Sequence, residues 1–137
     1  MYLLDTHVVS ELRRPKPHGA VVAWLASVND QDLFVSALSL AEIQRGIEMT
    51  RQQDAAKAKN LELWLDQLAA SFEILVLDAV VMREWARMMH RRSNTLSEDA
   101  MLAATAKVNG LQMVTRNTPD FEALGVACLN PFHFKSA

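Results

Sequence analysis

The sequence predicts an α/β fold in which helices cover both faces of a short, mainly parallel sheet of about five strands. Short runs rich in Val, Ile and Leu have the composition of strands that are buried on both faces. Longer segments between these runs place apolar residues at helical spacing. Because the two patterns alternate along the chain, consecutive strands are expected to run parallel.

Five apolar runs bounded by turn residues predict the strands. The runs cover Tyr2–Leu4, Leu33–Ser36, Glu73–Leu77, Gln112–Thr115 and Val126–Leu129. Since every run is short, the sheet is expected to be narrow, with its carboxyl edge close to all the segments that follow the strands.

Apolar stripes and capping residues predict the helices. Three stripes consist of Val21, Trp24, Leu25 and Val28, of Leu61, Leu65, Leu68 and Phe72, and of Val81, Trp85 and Met88. Other helices are predicted directly after Asp5, over about Ser39–Thr50, over about Glu98–Val108 and from Pro119. The polar segment Arg51–Lys59 is interpreted as a solvated junction between two helices.

Length and composition limit the class of protein. At 137 residues the chain is expected to form a single domain over residues 1–137. The net charge of −2 argues against a generally basic nucleic-acid coat but permits a local basic rim. Cys128 is the only cysteine, which excludes an intramolecular disulfide and favours a reducing, cytoplasmic setting. No apolar run has the length of a membrane helix or the pattern of a signal peptide, so no membrane association is expected.

Acidic residues recur near the predicted starts of helices. Asp5 follows the first strand, Glu42 and Asp99 lie early in two helices, and Asp120 follows Asn117 in the last turn. The carboxyl ends of parallel strands meet at one edge of a sheet, so these side chains are expected to lie close together. Carboxylates in one place repel each other unless a cation binds them, and oxygens are the ligands that Mg²⁺ or Mn²⁺ prefers. The pattern predicts a divalent metal site.

Each acid also has a purely structural interpretation. Ser39 and Glu42 match a capping box, and Asp5 would serve as an N-cap. Asp99 would complement the positive end of a helix dipole, and Asn117 or Thr118 would cap the last helix. Capping is the commoner role for each residue taken singly, whereas their joint placement at one sheet edge favours the metal.

Five short motifs occur in one order along the chain. They are Leu3-Leu4-Asp5-Thr6, Ser10-Glu11, Ser39-x-x-Glu42, Asp99-Ala100-Met101-Leu102-Ala103-Ala104-Thr105-Ala106 and Val114-Thr115-Arg116-Asn117-Thr118-Pro119-Asp120-Phe121. With these motifs the chain resembles PIN-domain proteins, and it looks most like the toxin ribonucleases of the VapC group, particularly the FitB-like branch. The likeness extends from Tyr2 to Phe132, and the whole series at these separations is highly specific.

The resemblance implies a three-layer α/β/α PIN-like domain that cleaves RNA with Mg²⁺ or Mn²⁺, with tRNA as a candidate substrate. By position, Asp5, Glu42 and Asp99 match the three core acidic ligands of the family. The family's fourth acidic position falls on Asn117, whose amide can coordinate through oxygen but adds no charge. Asp120 is the alternative source of a carboxylate, and the choice between one metal and two stays open.

Four further residues are candidates for the substrate side of the site. Thr6 and Ser10 are available to hydrogen-bond the site, as the resemblance implies for their counterparts. Arg45 lies one turn after Glu42 and Arg116 precedes Asn117, so either could contact a phosphate.

The resemblance also implies partners. It implies a homodimer that a small antitoxin of the VapB or FitA type silences, with DNA bound only through the antitoxin. Two alternatives stay open: a catalytically weak PIN-like module that binds RNA or a partner, favoured by Asn117, and a phosphatase-like enzyme with Asp5 as nucleophile. The second is disfavoured because His7 stands where that chemistry usually has another acid.

Overall fold

The computed structural model describes residues 1–136, which form five strands and seven α-helices. The strands are β1 (Tyr2–Leu4), β2 (Leu33–Ser36), β3 (Glu73–Leu75), β4 (Gln112–Val114) and β5 (Cys128–Leu129). The helices are α1 (Thr6–Glu11), α2 (Gly19–Ser27), α3 (Ala37–Arg51), α4 (Ala55–Ser71), α5 (Ala79–Met89), α6 (Ser97–Val108) and α7 (Thr118–Ala123). Short 3-10 turns lie at Asp30–Asp32, Asn94–Leu96 and Pro131–His133.

The five strands form one parallel sheet in the order β3-β2-β1-β4-β5. From β1 at the centre, the chain adds β2 and β3 on one side and later β4 and β5 on the other. The order therefore reverses between β1 and β4, which is where open α/β sheets leave a crevice at their carboxyl edge. The predicted fold class is confirmed.

Alternation along the strands divides the core between two helical layers. Leu3 and Met113 pack on the side that carries α5, α6 and α7, whereas Leu4, Val35 and Val114 pack against α1 to α4. This is the period of two that a strand buried on both faces requires. The result is a three-layer α/β/α arrangement in which both apolar faces of the sheet are covered.

Helix α6 is buried on most of its circumference. Ala100, Leu102, Ala103, Ala104 and Ala106 are all buried, which explains why the segment lacks a clear apolar stripe. Small side chains let α6 approach the sheet closely, and its first turn reaches the carboxyl edge. Among residues 1–136, no helix combines the length and the apolar character needed to cross a bilayer.

Three predicted strands extend beyond the observed ladders. β3 ends at Leu75 rather than Leu77, where its pairing with β2 ends. β4 ends at Val114 rather than Thr115, because its β1 partner Leu4 is also the last residue of its strand. β5 begins at Cys128 rather than Val126, since the Val126 N–H donates to the carbonyl of Phe121 and closes the turn after α7.

The interpretation of Arg51–Lys59 as a junction is wrong for most of that segment. Helix α3 continues through Arg51, and α4 already begins at Ala55. The Asp54 carboxylate accepts the Lys57 N–H at 3.0 Å and caps α4. Polar residues there form the exposed start of a helix, which a composition-based interpretation cannot distinguish from a loop.

Candidate active site

Asp5 occupies the point where the strand order reverses. It follows β1 directly, and its N–H donates to the carbonyl of Val114 on β4 at 2.9 Å. The Thr115 hydroxyl donates to Asp5 Oδ2 at 2.8 Å, and both side chains are buried. The Asp5 side chain makes no capping hydrogen bond to α1, so its interpretation as a side-chain N-cap is wrong. Thr115 fixes one carboxylate oxygen and orients the group toward the crevice.

Glu42 is held by hydroxyl groups. Thr6 Oγ1 donates to Glu42 Oε1 at 2.9 Å, and the hydroxyls of Thr6 and Ser39 are 2.7 Å apart. Because Thr6 has a single hydroxyl proton and donates it to Glu42, Ser39 must be the donor to Thr6. This chain of hydrogen bonds links α1 to α3 and positions the carboxylate.

The predicted capping box at Ser39 and Glu42 is wrong. Helix α3 begins at Ala37, and its cap is Ser36, whose hydroxyl accepts the Leu38 N–H at 3.1 Å. Ser39 lies inside the first turn and is fully buried. Glu42 therefore does not cap the helix, and its carboxylate faces Thr6.

Asp99 lies in the first turn of α6, which follows α5 and a 3-10 turn rather than a strand. Burial raises the pKa of the Asp99 carboxyl, and the charges of Asp5 and Asp120 raise it further. Burial also raises the pKa of Glu42, opposed by the Thr6 hydrogen bond and reinforced by Glu98 and Asp5. Asp5 is therefore within electrostatic reach of both other acids.

The donor set has the chemistry of a site for a hard divalent cation. The three carboxylates offer only oxygen, and their negative charges disfavour one another, which a cation would relieve. Within residues 1–136, no three acidic, histidine or cysteine side chains already lie in a closed metal-binding group. The residues fit the cation in their oxygen donors, in their charge and in their place at one sheet edge.

Asn117 and Asp120 form a pair beside this edge. The Asn117 amide Nδ2 donates to Asp120 Oδ2 at 2.7 Å, and the Asn117 N–H donates to Thr115 Oγ1 at 3.0 Å. Asn117 stands at the N-cap position of α7 without a side-chain capping bond, so its interpretation as a side-chain cap is wrong. Asp120 influences the pKa of Asp99, so it belongs to the same acidic surroundings.

Two clefts open on either side of α1. Thr6, Ser10 and Glu42 line the first, of about 350 Å³, which extends to Trp64 on α4. Asp5, Ser10 and Asn117 line the second, of about 480 Å³, together with arginines. His7, Ser10 and Arg13 line both clefts, so the acidic edge has two approaches.

The two candidate arginines differ in their surroundings. Arg45 Nη2 lies 3.4 Å from Glu98 Oε1, and both side chains are exposed. This contact gives Arg45 a carboxylate partner, and exposed pairs of this kind are weak. The Arg116 guanidinium carbon lies 3.7 Å from the centroid of the Phe132 ring, in the second cleft.

Three residues that contribute to the site were not predicted as site residues, although Thr115 and Ser39 stand in its motifs and Ser39 was interpreted as a helix cap. Thr115 holds Asp5, Ser39 supports Thr6, and Phe132 stacks on Arg116. Thr115 directly precedes Arg116 and Asn117 in a recognised motif, which is the one feature of the sequence that could have identified it. Burial of the Cys128 thiol, together with nearby Glu122, raises its pKa to about 11, which disfavours the thiolate at neutral pH.

Comparison with known proteins decides the family. Residues 2–126, nearly the whole chain, match the PIN domain family. The chain belongs to the PIN domain family. Its acidic edge lies at the reversal of strand order between β1 and β4.

Individual relatives cover the PIN domain from end to end. Toxin FitB from Neisseria gonorrhoeae is 37% identical over 142 residues, covering 97% of this chain and 99% of that protein. VapC ribonuclease Y4jK from Sinorhizobium fredii is 30% identical over 142 residues, covering 96% of this chain and 98% of that protein. A solved structure of FitAB bound to a DNA fragment contains a chain with a TM-score of 0.85 and 34% identity, covering 99% of both chains.

Proposed function

We propose that this PIN domain is a metal-dependent endoribonuclease and the toxin component of a type II toxin–antitoxin system. The observation that carries the proposal is the placement of Asp5, Glu42 and Asp99 at one sheet edge, where Asp5 acts on the pKa of both other acids. The similarity to proteins named as a toxin and as a ribonuclease supports this chemistry over a purely structural role.

Asp5, Glu42 and Asp99 would hold Mg²⁺ or Mn²⁺. Such an ion, when bound, lowers the pKa of a coordinated water and neutralises charge on a phosphodiester in the transition state. The products follow from hydrolysis: a phosphorus–oxygen bond of RNA breaks, the water oxygen joins phosphorus, and a proton goes to the leaving oxygen.

The protein's own residues supply orientation and charge. Thr115 fixes Asp5, and Thr6 with Ser39 fixes Glu42, so two carboxylates keep their direction without the metal. Asn117, already bound to Asp120, would complete or tune the site through its amide oxygen. Thr6 and Ser10 line the cleft and would hydrogen-bond substrate or water, while Arg116 would neutralise a phosphate.

Partners follow from the same proposal. The toxin would act as a homodimer in the cytoplasm on a structured RNA, with tRNA as a candidate. A small antitoxin would cover the acidic edge, and DNA would be bound through that antitoxin. The similar chain in a FitAB complex with DNA supports this arrangement, and the net charge of −2 is consistent with DNA binding that depends on a partner.

A catalytically weak binding module is the second candidate. Three observations favour it. An amide occupies position 117, and its partner Asp120 has one oxygen engaged by that amide. Within residues 1–136 the acids also do not form a closed group in advance. Such a module would bind RNA or its partner without cutting RNA.

Mapping RNA ends separates the two functions. Purified protein is incubated with total RNA in Mg²⁺, in Mn²⁺ and in excess EDTA, and new 5′ and 3′ ends are sequenced. We expect a discrete set of cuts with either metal and none in EDTA, because the carboxylates alone cannot activate water or neutralise a phosphate.

The control for this experiment is the same preparation after metal is restored to the EDTA sample. Recovery of the same cuts excludes irreversible damage. Cuts of equal yield in EDTA would contradict a metal-dependent mechanism, and the absence of cuts under every metal condition would favour the binding module.

A further inference from the structure

Phe132 is fixed beside the second cleft by the 3-10 turn near the carboxyl end. The Phe132 N–H donates to the Asn130 side chain at 2.9 Å, and Pro131 of the same turn is buried. The ring of His18, which precedes α2, meets the Phe132 ring edge-to-face at a centroid distance of 5.1 Å. The ring therefore has a defined position before any ligand binds.

Arg116 is stacked on this ring. The distance of 3.7 Å from guanidinium carbon to ring centroid is a close cation–π contact. A guanidinium that stacks through its face keeps its N–H groups at its edge, where they can bind phosphate oxygens. Arg116 follows Thr115, whose hydroxyl binds Asp5, so the stacked cation is one residue from the acidic edge.

The charges of the second cleft are unevenly compensated. Arg13, Arg14 and Arg116 all line it, together with Asp5 and Glu11. Glu11 is engaged, because it lies 3.6 Å from Arg14 and accepts the His18 N–H at 2.8 Å. Among residues 1–136, neither Arg13 nor Arg116 forms a salt bridge. Two cations without a carboxylate partner thus face the same cleft as Asp5.

We propose that this second cleft is a phosphate-binding subsite for the RNA strand next to the scissile bond. Arg116 and Arg13 bind a neighbouring phosphate, and Phe132 is a positioning residue that fixes the guanidinium of Arg116. The inference rests on the proposed ribonuclease function and deepens it, since it assigns the strand path to the β4 side of α1. The 3-10 turn at Pro131–His133 is then part of the substrate site.

The salt dependence of RNA binding tests the subsite. Binding of a fluorescein-labelled, mixed-sequence single-stranded RNA is followed by anisotropy, in Mg²⁺, with Asp99→Asn as the background so that RNA stays intact. We expect Arg116→Gln to weaken binding severalfold and to make the slope of log affinity against log salt shallower by about 0.7, as the loss of one phosphate contact predicts. Phe132→Leu is expected to weaken RNA binding as well. Phe132→Tyr is expected to keep the affinity that the protein has with Phe132.

Arg83→Gln is the matched control. It removes the same charge from the exposed face of α5, on the opposite side of the sheet, and is expected to leave the slope unchanged. An unchanged slope in Arg116→Gln overturns the subsite. The same result is expected if an acidic peptide, rather than RNA, binds the cleft. An equal effect of Phe132→Leu and Phe132→Tyr overturns the role of the ring. Cleavage of the probe by the Asp99→Asn background would instead count against the proposed ribonuclease site.

Discussion

Asp99→Asn is expected to lower the rate of RNA cleavage about a thousandfold while the fold persists. The substitution removes the charge of one proposed metal ligand but keeps its size. Losing several kcal/mol of charge stabilisation in the transition state corresponds to roughly three orders of magnitude in rate. Single-turnover cleavage of an RNA identified by end mapping measures the effect, and Asp5→Asn should behave similarly.

The same substitution is expected to stabilise the metal-free protein at neutral pH. The folded-state pKa of Asp99 is raised above its ordinary value of 3.8, mainly by burial and then by Asp5 and Asp120. The folded wild type therefore binds a proton more tightly than the unfolded chain, and its free energy of unfolding falls as pH rises from 3.8 through the raised pKa. Asn cannot ionise, so the free energy of unfolding of the variant does not fall for this reason as pH rises.

Urea unfolding in EDTA at several pH values compares the two proteins. The advantage of Asp99→Asn should appear as pH rises through that window and then stay constant. Asp66→Asn is the matched control, since it removes a carboxylate from the exposed face of α4. It should change neither cleavage nor the pH dependence. A fully active Asp99→Asn protein would contradict the assignment of Asp99 to the site.

Thr115→Val is expected to reduce cleavage by about ten- to a hundredfold, the effect typical of removing a group that orients a metal ligand. Valine matches threonine in shape but cannot donate to Asp5 Oδ2 or accept the Asn117 N–H. Two groups at the strand-order reversal then lose their partner, at a cost of about 1–3 kcal/mol in the free energy of unfolding. The cleavage rate and the Mn²⁺ affinity should fall together.

Thr105→Val distinguishes this effect from general damage to the core. Thr105 is fully buried like Thr115, but its hydroxyl donates to the carbonyl of Met101 within α6. That variant should lose some stability and keep near-normal cleavage, and Thr115→Ser should restore cleavage because it keeps the hydroxyl. Equal loss of cleavage in Thr105→Val and Thr115→Val would show that packing, rather than orientation of Asp5, explains the result.

The fold was largely predictable because its strands and helices have distinct local sequence patterns. Short runs of branched residues identified all five strands, and alternation with helices implied the parallel sheet. Strand ends were less predictable, since β4 ends where its partner Leu4 ends and not where its own apolar run ends. The predicted boundary between α3 and α4 was also wrong, because a polar helix start resembles a loop in composition.

The candidate site was predictable as a set of acids but not as a geometry. Sequence spacing placed Asp5 and Glu42 near helix starts, where capping is the commoner role of a single acid. The decisive facts are tertiary: Thr115 reaches Asp5 across 110 positions of sequence separation, and Thr6 reaches Glu42 across 36. Phe132 lies near the opposite end of the chain from His18, and no local pattern relates the two rings.

Calorimetric titration of Mn²⁺ into the metal-free protein tests the shared carboxylate site most directly. We predict saturable binding to the wild type and to Asp66→Asn, and its loss in Asp5→Asn, which keeps the side-chain shape but not the charge. Absence of saturable binding to the wild type, or equal binding to Asp5→Asn, would contradict the account.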